Sequence, residues 1–120
     1  MTPEGRIEHE IFDFLKSIGV FCFKCDRTGI FDPIKKTFRS NRNPHRIKGI
    51  ADILGIAPGG RFLAIEVKSA DGRLSKEQRL FLRSVQDAGG IAFVARSVKQ
   101  AAIELSKHFP ADEMIRKYWQ

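Results

Sequence analysis

In the stretch "ADILGIAPGGRFLAIEVKSA", residues 51–70, Asp52, Glu66 and Lys68 stand among Ile, Leu, Val and Ala on either side of a Pro-Gly-Gly turn. In the run after the turn, Phe62, Ala64, Glu66 and Lys68 share one face of an extended strand, and Leu63, Ile65, Val67 and Ser69 share the other. Apolar side chains on both faces mark a central strand. An isolated charge buried there costs several kcal/mol, so Glu66 and Lys68 need each other, a metal or a ligand. If Pro58, Gly59 and Gly60 form a three-residue loop, Ala57 pairs with Arg61, and five residues further along each strand Asp52 faces Glu66. Opposed residues bring their Cβ atoms to roughly 4.5–5.5 Å. Two carboxylates that close repel unless a cation sits between them, and oxygen-only ligation suits Mg²⁺ or Mn²⁺. A two-residue loop would instead set Asp52 opposite Val67 and flip it away from Glu66.

The elements that must position these residues can be read on both sides. Ile7, Ile11, Phe14, Leu15 and Ile18 recur at helical spacing over residues 4–18, with Thr2-Pro3 as the start and Gly19 as the stop. "VFCFKC" reads as a strand, residues 50–57 and 61–69 as two more, and "IAFVA" as a fourth. Between them "LSKEQRLFLRSVQDAGG" is a helix capped by Ser75 and closed by Gly89-Gly90, after a turn at Asp71-Gly72. Ser97 caps a last helix through about Phe109, and the tail from Pro110 to Gln120 is expected to be helical. The order αβββαβα gives one α/β domain over residues 1–120, a small mixed sheet flanked by helices.

Composition narrows the partner. The 42% hydrophobic content and 10 phenylalanines argue against disorder, and no run reaches the roughly 18 apolar residues of a membrane span. Lys and Arg number 21 against 14 Asp and Glu, a formal charge of +7 that favours a polyanion such as nucleic acid. Seven of these cations (Arg27, Lys35, Lys36, Arg39, Arg42, Arg46, Lys48) fall in the loop at about 26–48, against two acids. Interleaved with Phe31 and Phe38, they read as a DNA-contacting arm; a solvated surface loop is the plainer alternative. Cys22 and Cys25 form a lone C-x-x-C without a second ligand pair and read as reduced structural thiols. The polar, acidic N-terminus does not resemble a signal peptide, and a cytoplasmic protein of a bacterial or phage-infected cell is expected.

"GIADILGI", "GGRFLAIEVKSADGRLSKEQ" and "DAGGIAFVARS" together closely resemble the VRR-Nuc (virus-type replication-repair nuclease) family of the PD-(D/E)xK nuclease superfamily, and are similar to archaeal Holliday-junction resolvases. The likeness covers nearly the whole chain outside the basic loop and the C-terminal tail. The ordered set of helix glutamate, Asp, E-x-K and S-x-x-Q carries it far more specifically than E-x-K alone. Ala51 stands where a proline usually precedes the aspartate, a backbone-shaping position without chemistry. The resemblance implies a PD-(D/E)xK nuclease-like core in which Asp52, Glu66 and the main-chain carbonyl of Val67 hold Mg²⁺, with Mn²⁺ as a substitute. It further implies that Lys68 positions the attacking water and stabilises the charged transition state, that Gln78 orients Lys68 or a phosphate, and that a first-helix glutamate joins the metal. Glu4 and Glu8 share a helix face one turn apart. Glu8 fits the resolvase-like pattern and is favoured; Glu4 fits the VRR-Nuc pattern and is a second ligand or water holder. Acids in a first turn also serve the helix dipole alone, and Ser75–Gln78 makes a capping box without any catalysis.

These readings converge on a metal-dependent endonuclease acting on branched DNA such as a Holliday junction, working in DNA repair as a homodimer built with the aromatic tail "MIRKYWQ". Lys35, Lys36, Arg39, Arg42, Arg46 and Lys48 are its expected DNA contacts. The alternative is a nucleic-acid-binding module in which Asp52, Glu66 and Lys68 form a structural ion triad. A redox role for the cysteines would leave that triad unexplained.

Overall fold

A computed structural model of the chain describes residues 1–25, 30–39 and 44–109. Helix α1 (Pro3–Ser17) starts where the Thr2 hydroxyl accepts from the Gly5 N–H at 3.0 Å, with proline in its first turn, and Ile11 and Leu15 form its buried stripe. Strands β1 (Phe21–Lys24), β4 (Ile53–Ala57), β5 (Arg61–Val67) and β6 (Ile91–Ala95) form one sheet in the order β1-β4-β5-β6. The first two pairings are antiparallel, while β5 and β6 run parallel. Helix α2 (Lys76–Asp87) is the crossover that a parallel pair requires, and α3 (Val98–Ser106) follows β6.

The alternation along β5 divides the core. Leu63, Ile65 and Val67 point to the side covered by α1 and α3, where they meet Ile11, Leu15, Ile53, Ala101 and Leu105. Ala64 points the other way, to Leu82 of α2 and Ala92 of β6. A strand flanked on both edges and buried on both faces matches the central position read from its sequence.

The turn between β4 and β5 contains three residues, Pro58–Gly60, with Gly59 and Gly60 at φ 83° and 77°, the left-handed region where glycine costs nothing. Ala57 pairs with Arg61, and the register runs back to Ile53 opposite Ile65. One further step brings Asp52 to Glu66, so the three-residue alternative holds and the two-residue one does not.

Three expectations need correction. The stretch 26–48 contains a short antiparallel hairpin of its own, β2 (Ile30–Asp32) with β3 (Thr37–Arg39). Its three-residue strands pair with each other and are separate from the main sheet, so they leave no core periodicity to read. The strands expected over 50–57 and 61–69 are shorter, leaving Asp52 and Lys68 one residue beyond the ends of β4 and β5. The last helix ends at Ser106. The tail 110–120, with its "MIRKYWQ", lies outside the described residues, as do Arg27 and Arg42.

Candidate active site

Glu66 is the centre of the site: 1% exposed, it is the buried charged residue among the described residues. Its Oε1 accepts from the Gln78 Nε2 at 3.2 Å, and the Lys68 ammonium stands 4.0 Å from the same oxygen. Gln78 is held from its other end, where its Oε1 accepts from the Ser75 N–H at 2.9 Å while the Ser75 hydroxyl accepts from the Gln78 N–H at 3.1 Å. The capping-box reading holds, and the same side chain reaches further: its oxygen closes the box while its nitrogen turns toward Glu66.

Asp52 is fixed by main chain. Its Oδ2 accepts from the Val67 N–H at 2.8 Å, where a regular antiparallel ladder would continue through a backbone carbonyl. That bond shows that Val67 directs its N–H toward β4, and in an extended strand the carbonyl of the same residue points the same way. The Asp52–Glu66 step is then a pair without direct main-chain bonds, the narrow kind at which Cα atoms approach to roughly 4.5 Å. Asp52, Glu66 and the Val67 carbonyl are hard oxygen donors, the chemistry that would suit Mg²⁺ or Mn²⁺.

Lys68 is positioned by a turn the sequence did not mark as functional. Its N–H donates to the Ala95 carbonyl at 3.1 Å, extending the β5–β6 ladder by one bond. Gly72 closes a turn onto Ser69 and packs so tightly that a Cβ there would lie 3.3 Å from the Lys68 Cδ. The Arg96 guanidinium then ties the turn down, Nη1 donating to the carbonyls of Ser69 at 2.6 Å and Gly72 at 2.7 Å. Arg96 was missed because its partners lie more than 20 residues away and no local pattern announces them.

The first-helix glutamates are not gathered in. Lys24 pairs with Ile53 across the sheet and shares its α1-side face, and its ammonium meets the Glu8 carboxylate at 3.0 Å. Glu66 lies one residue out of phase with Ile65, on the α2 side, where Gln78 reaches it. Glu4 lies a turn before Glu8, in the first turn of α1. Among the described residues no three of His, Cys, Asp or Glu stand close enough to hold a metal ion.

Of the expected DNA contacts, Lys35 and Lys36 sit exposed in the β2–β3 turn, and Arg46 and Lys48 are exposed on the segment leading to β4. Arg39 ends β3. That segment is anchored to the site at Gly49. With φ 77°, a Cβ there would lie 2.4 Å from the Glu77 carbonyl carbon and 2.6 Å from the Gln78 nitrogen. Gly49→Ala should therefore cost at least about 1–3 kcal/mol from conformation alone, more with the collision, read as a lowered melting temperature. The half-buried Cys22 thiol is pushed up in pKa by burial, partly opposed by the Lys16 charge, which suits an inert structural thiol and not a redox centre.

A four-stranded mixed sheet has α1 and α3 on one face and α2 on the other, with Asp52, Glu66 and Lys68 at the end of the β4–β5 pair away from its turn, and this is a nuclease-type fold. The chain belongs to the VRR-NUC domain family, whose model matches residues 25–99, well over half of its length. A solved structure described as a VRR_NUC domain is similar in fold at a TM-score of 0.66 and 21% identity, covering 91% of this chain and 100% of that one. No curated protein sequence matches. Among the described residues no helix is long and apolar enough to cross a membrane.

Proposed function

We infer that this protein is a divalent-metal-dependent deoxyribonuclease that hydrolyses phosphodiesters in branched DNA, Holliday-junction-like structures included. The observation that carries the reading is the buried Glu66 carboxylate opposite Asp52 with Lys68 beside it, in a chain of this family. Asp52, Glu66 and the Val67 carbonyl would hold Mg²⁺ or Mn²⁺; Glu8, and Glu4 before it, would join only by leaving the α1 face. When bound, the ion polarises a phosphoryl oxygen and lowers the pKa of a coordinated water. The protein supplies the rest. Gln78 fixes the Glu66 carboxylate, Lys68 offers a held ammonium to the charge that develops on the phosphate, and Arg46, Lys48, Lys35, Lys36, Arg39 and Arg42 grip the backbone.

A homodimer accounts for paired cuts, because each chain carries one such site. An exposed apolar row supports it: Phe21, Ile56 and Phe62 lie side by side across three strands at the sheet end away from Asp52. A DNA-binding module without catalysis is the second reading, favoured by the Glu8–Lys24 ion pair, which holds the helix acid on the far face of the sheet. A panel of labelled four-way junctions, flaps, nicked and plain duplexes, incubated with Mg²⁺ and either wild type or Asp52→Asn, separates them. We expect cutting of branched members by wild type alone. Tight binding with no cutting in Mg²⁺ or Mn²⁺ would establish the module instead.

A further inference from the structure

We propose that the groove between residues 47–48 and α2 is a nucleobase pocket, which receives an unpaired base next to the phosphate being cut; the proposal rests on the nuclease reading for its substrate. The groove encloses about 250 Å³, below the roughly 300 Å³ at which pockets begin to take drug-sized ligands, and so holds a single heterocycle. Its walls are apolar, formed by Ile47, Leu80, Phe81 and Val85. Ile47 and Leu80 are large aliphatic residues left 55% and 54% exposed, an arrangement that awaits a flat apolar partner.

The polar groups at the rim say what kind of partner. Lys48 supplies the cation for a phosphate, whereas Glu77 would repel one from the interior. The neutral ring therefore goes in and the anion stays at Lys48. Position relative to the chemistry selects DNA over another protein. Gly49 locks this wall against the backbone of Glu77 and Gln78, and Gln78 is the residue that holds Glu66. Leu80 and Phe81 follow Gln78 by only about 3–4.5 Å along the helix axis at 1.5 Å per residue. A base in the groove thus belongs to a nucleotide on the α2 side of the sheet, the side from which Gln78 reaches Glu66. Paired bases are stacked and cannot offer a face, so the pocket selects strands that are open at the cut. This is a structural source for a preference for branched DNA.

The test is a cycle between side chain and base, read by binding in EDTA so that no cleavage is needed. Junctions and flaps carrying 2-aminopurine, or an abasic site, at each position flanking the branch are titrated with wild type and Leu80→Ala. Leu80 is exposed enough for the variant to keep its melting temperature. We expect one position whose fluorescence changes at least about twofold on binding and whose removal as an abasic site weakens binding roughly 5- to 150-fold. Leu80→Ala should weaken intact DNA comparably and leave the abasic DNA unaffected. Equal effects on both DNAs, or no responsive position, would overturn the pocket. So would a Leu80→Ala variant that alters sedimentation but not DNA binding, because the groove is then a protein contact. Coupling without cleavage in Mg²⁺ would retain the pocket and reject the nuclease; cleavage without coupling would do the reverse.

Discussion

Replacing Lys68 by alanine should abolish DNA cleavage, by roughly 10²–10³-fold or more, while leaving DNA affinity within a few-fold of wild type. The Lys68 side chain is only 14% exposed and its ammonium is 4.0 Å from Glu66, its stem walled by Gly72 and its strand end tied by the Ala95 carbonyl. A charge held in that way meets a transition state without reorganising, and little of its worth is spent on ground-state binding. The basic segments proposed to grip the backbone are other residues and are untouched. Cleavage rate under single-turnover conditions and a separate equilibrium titration give the two numbers. A Lys68→Ala protein that cuts at the wild-type rate would remove the residue from the chemistry.

The second large effect concerns the metal and does not depend on turnover. Wild-type protein should gain about 1–3 kcal/mol from saturating Mn²⁺ or Mg²⁺, seen as a melting temperature raised by several degrees, since a ligand that binds only the folded state stabilises it by mass action. Asp52→Asn and Glu66→Gln should lose that increment. Their metal-free behaviour separates this from simple damage. In Asp52→Asn the side-chain amide oxygen can still accept from the Val67 N–H, and in Glu66→Gln the amide oxygen can still accept from Gln78. Glu66→Gln also takes the counter-charge from Lys68 and should melt lower than wild type without metal, so each variant is compared with its own metal-free melting temperature. An unchanged metal-induced shift in both variants would exclude this pair as the ligands.

How far the site was legible depended on the reach of each interaction. Asp52 opposite Glu66 followed from a turn length and the two-residue period of strands, both local, and Ala57 opposite Arg61 is the register they require. The capping box was likewise contained in four residues. Glu8 marks the limit. Helical spacing identifies which residues share a face of α1, but not which side of a sheet that face will meet, and Lys24 meets it on the side away from Glu66. Gly49 and Arg96 act through contacts about 24–28 residues distant, so their roles appear only once the chain is folded. The β2–β3 hairpin was invisible for a related reason, since strands of three residues are too short to show a two-residue period.

The double attachment of Gln78 has a consequence for what this position can become. Helix starts accept glutamate and glutamine almost equally, because either can turn an oxygen back to the cap N–H. Here only the amide serves. With its oxygen committed to Ser75, the end that reaches Glu66 must bring hydrogen, and a second carboxylate would present acceptor to acceptor in a place sheltered from water. Position 78 thus acts as a polarity filter, in which one atom exchanged for another separates a correctly begun helix from a correctly begun helix with a disarmed acid.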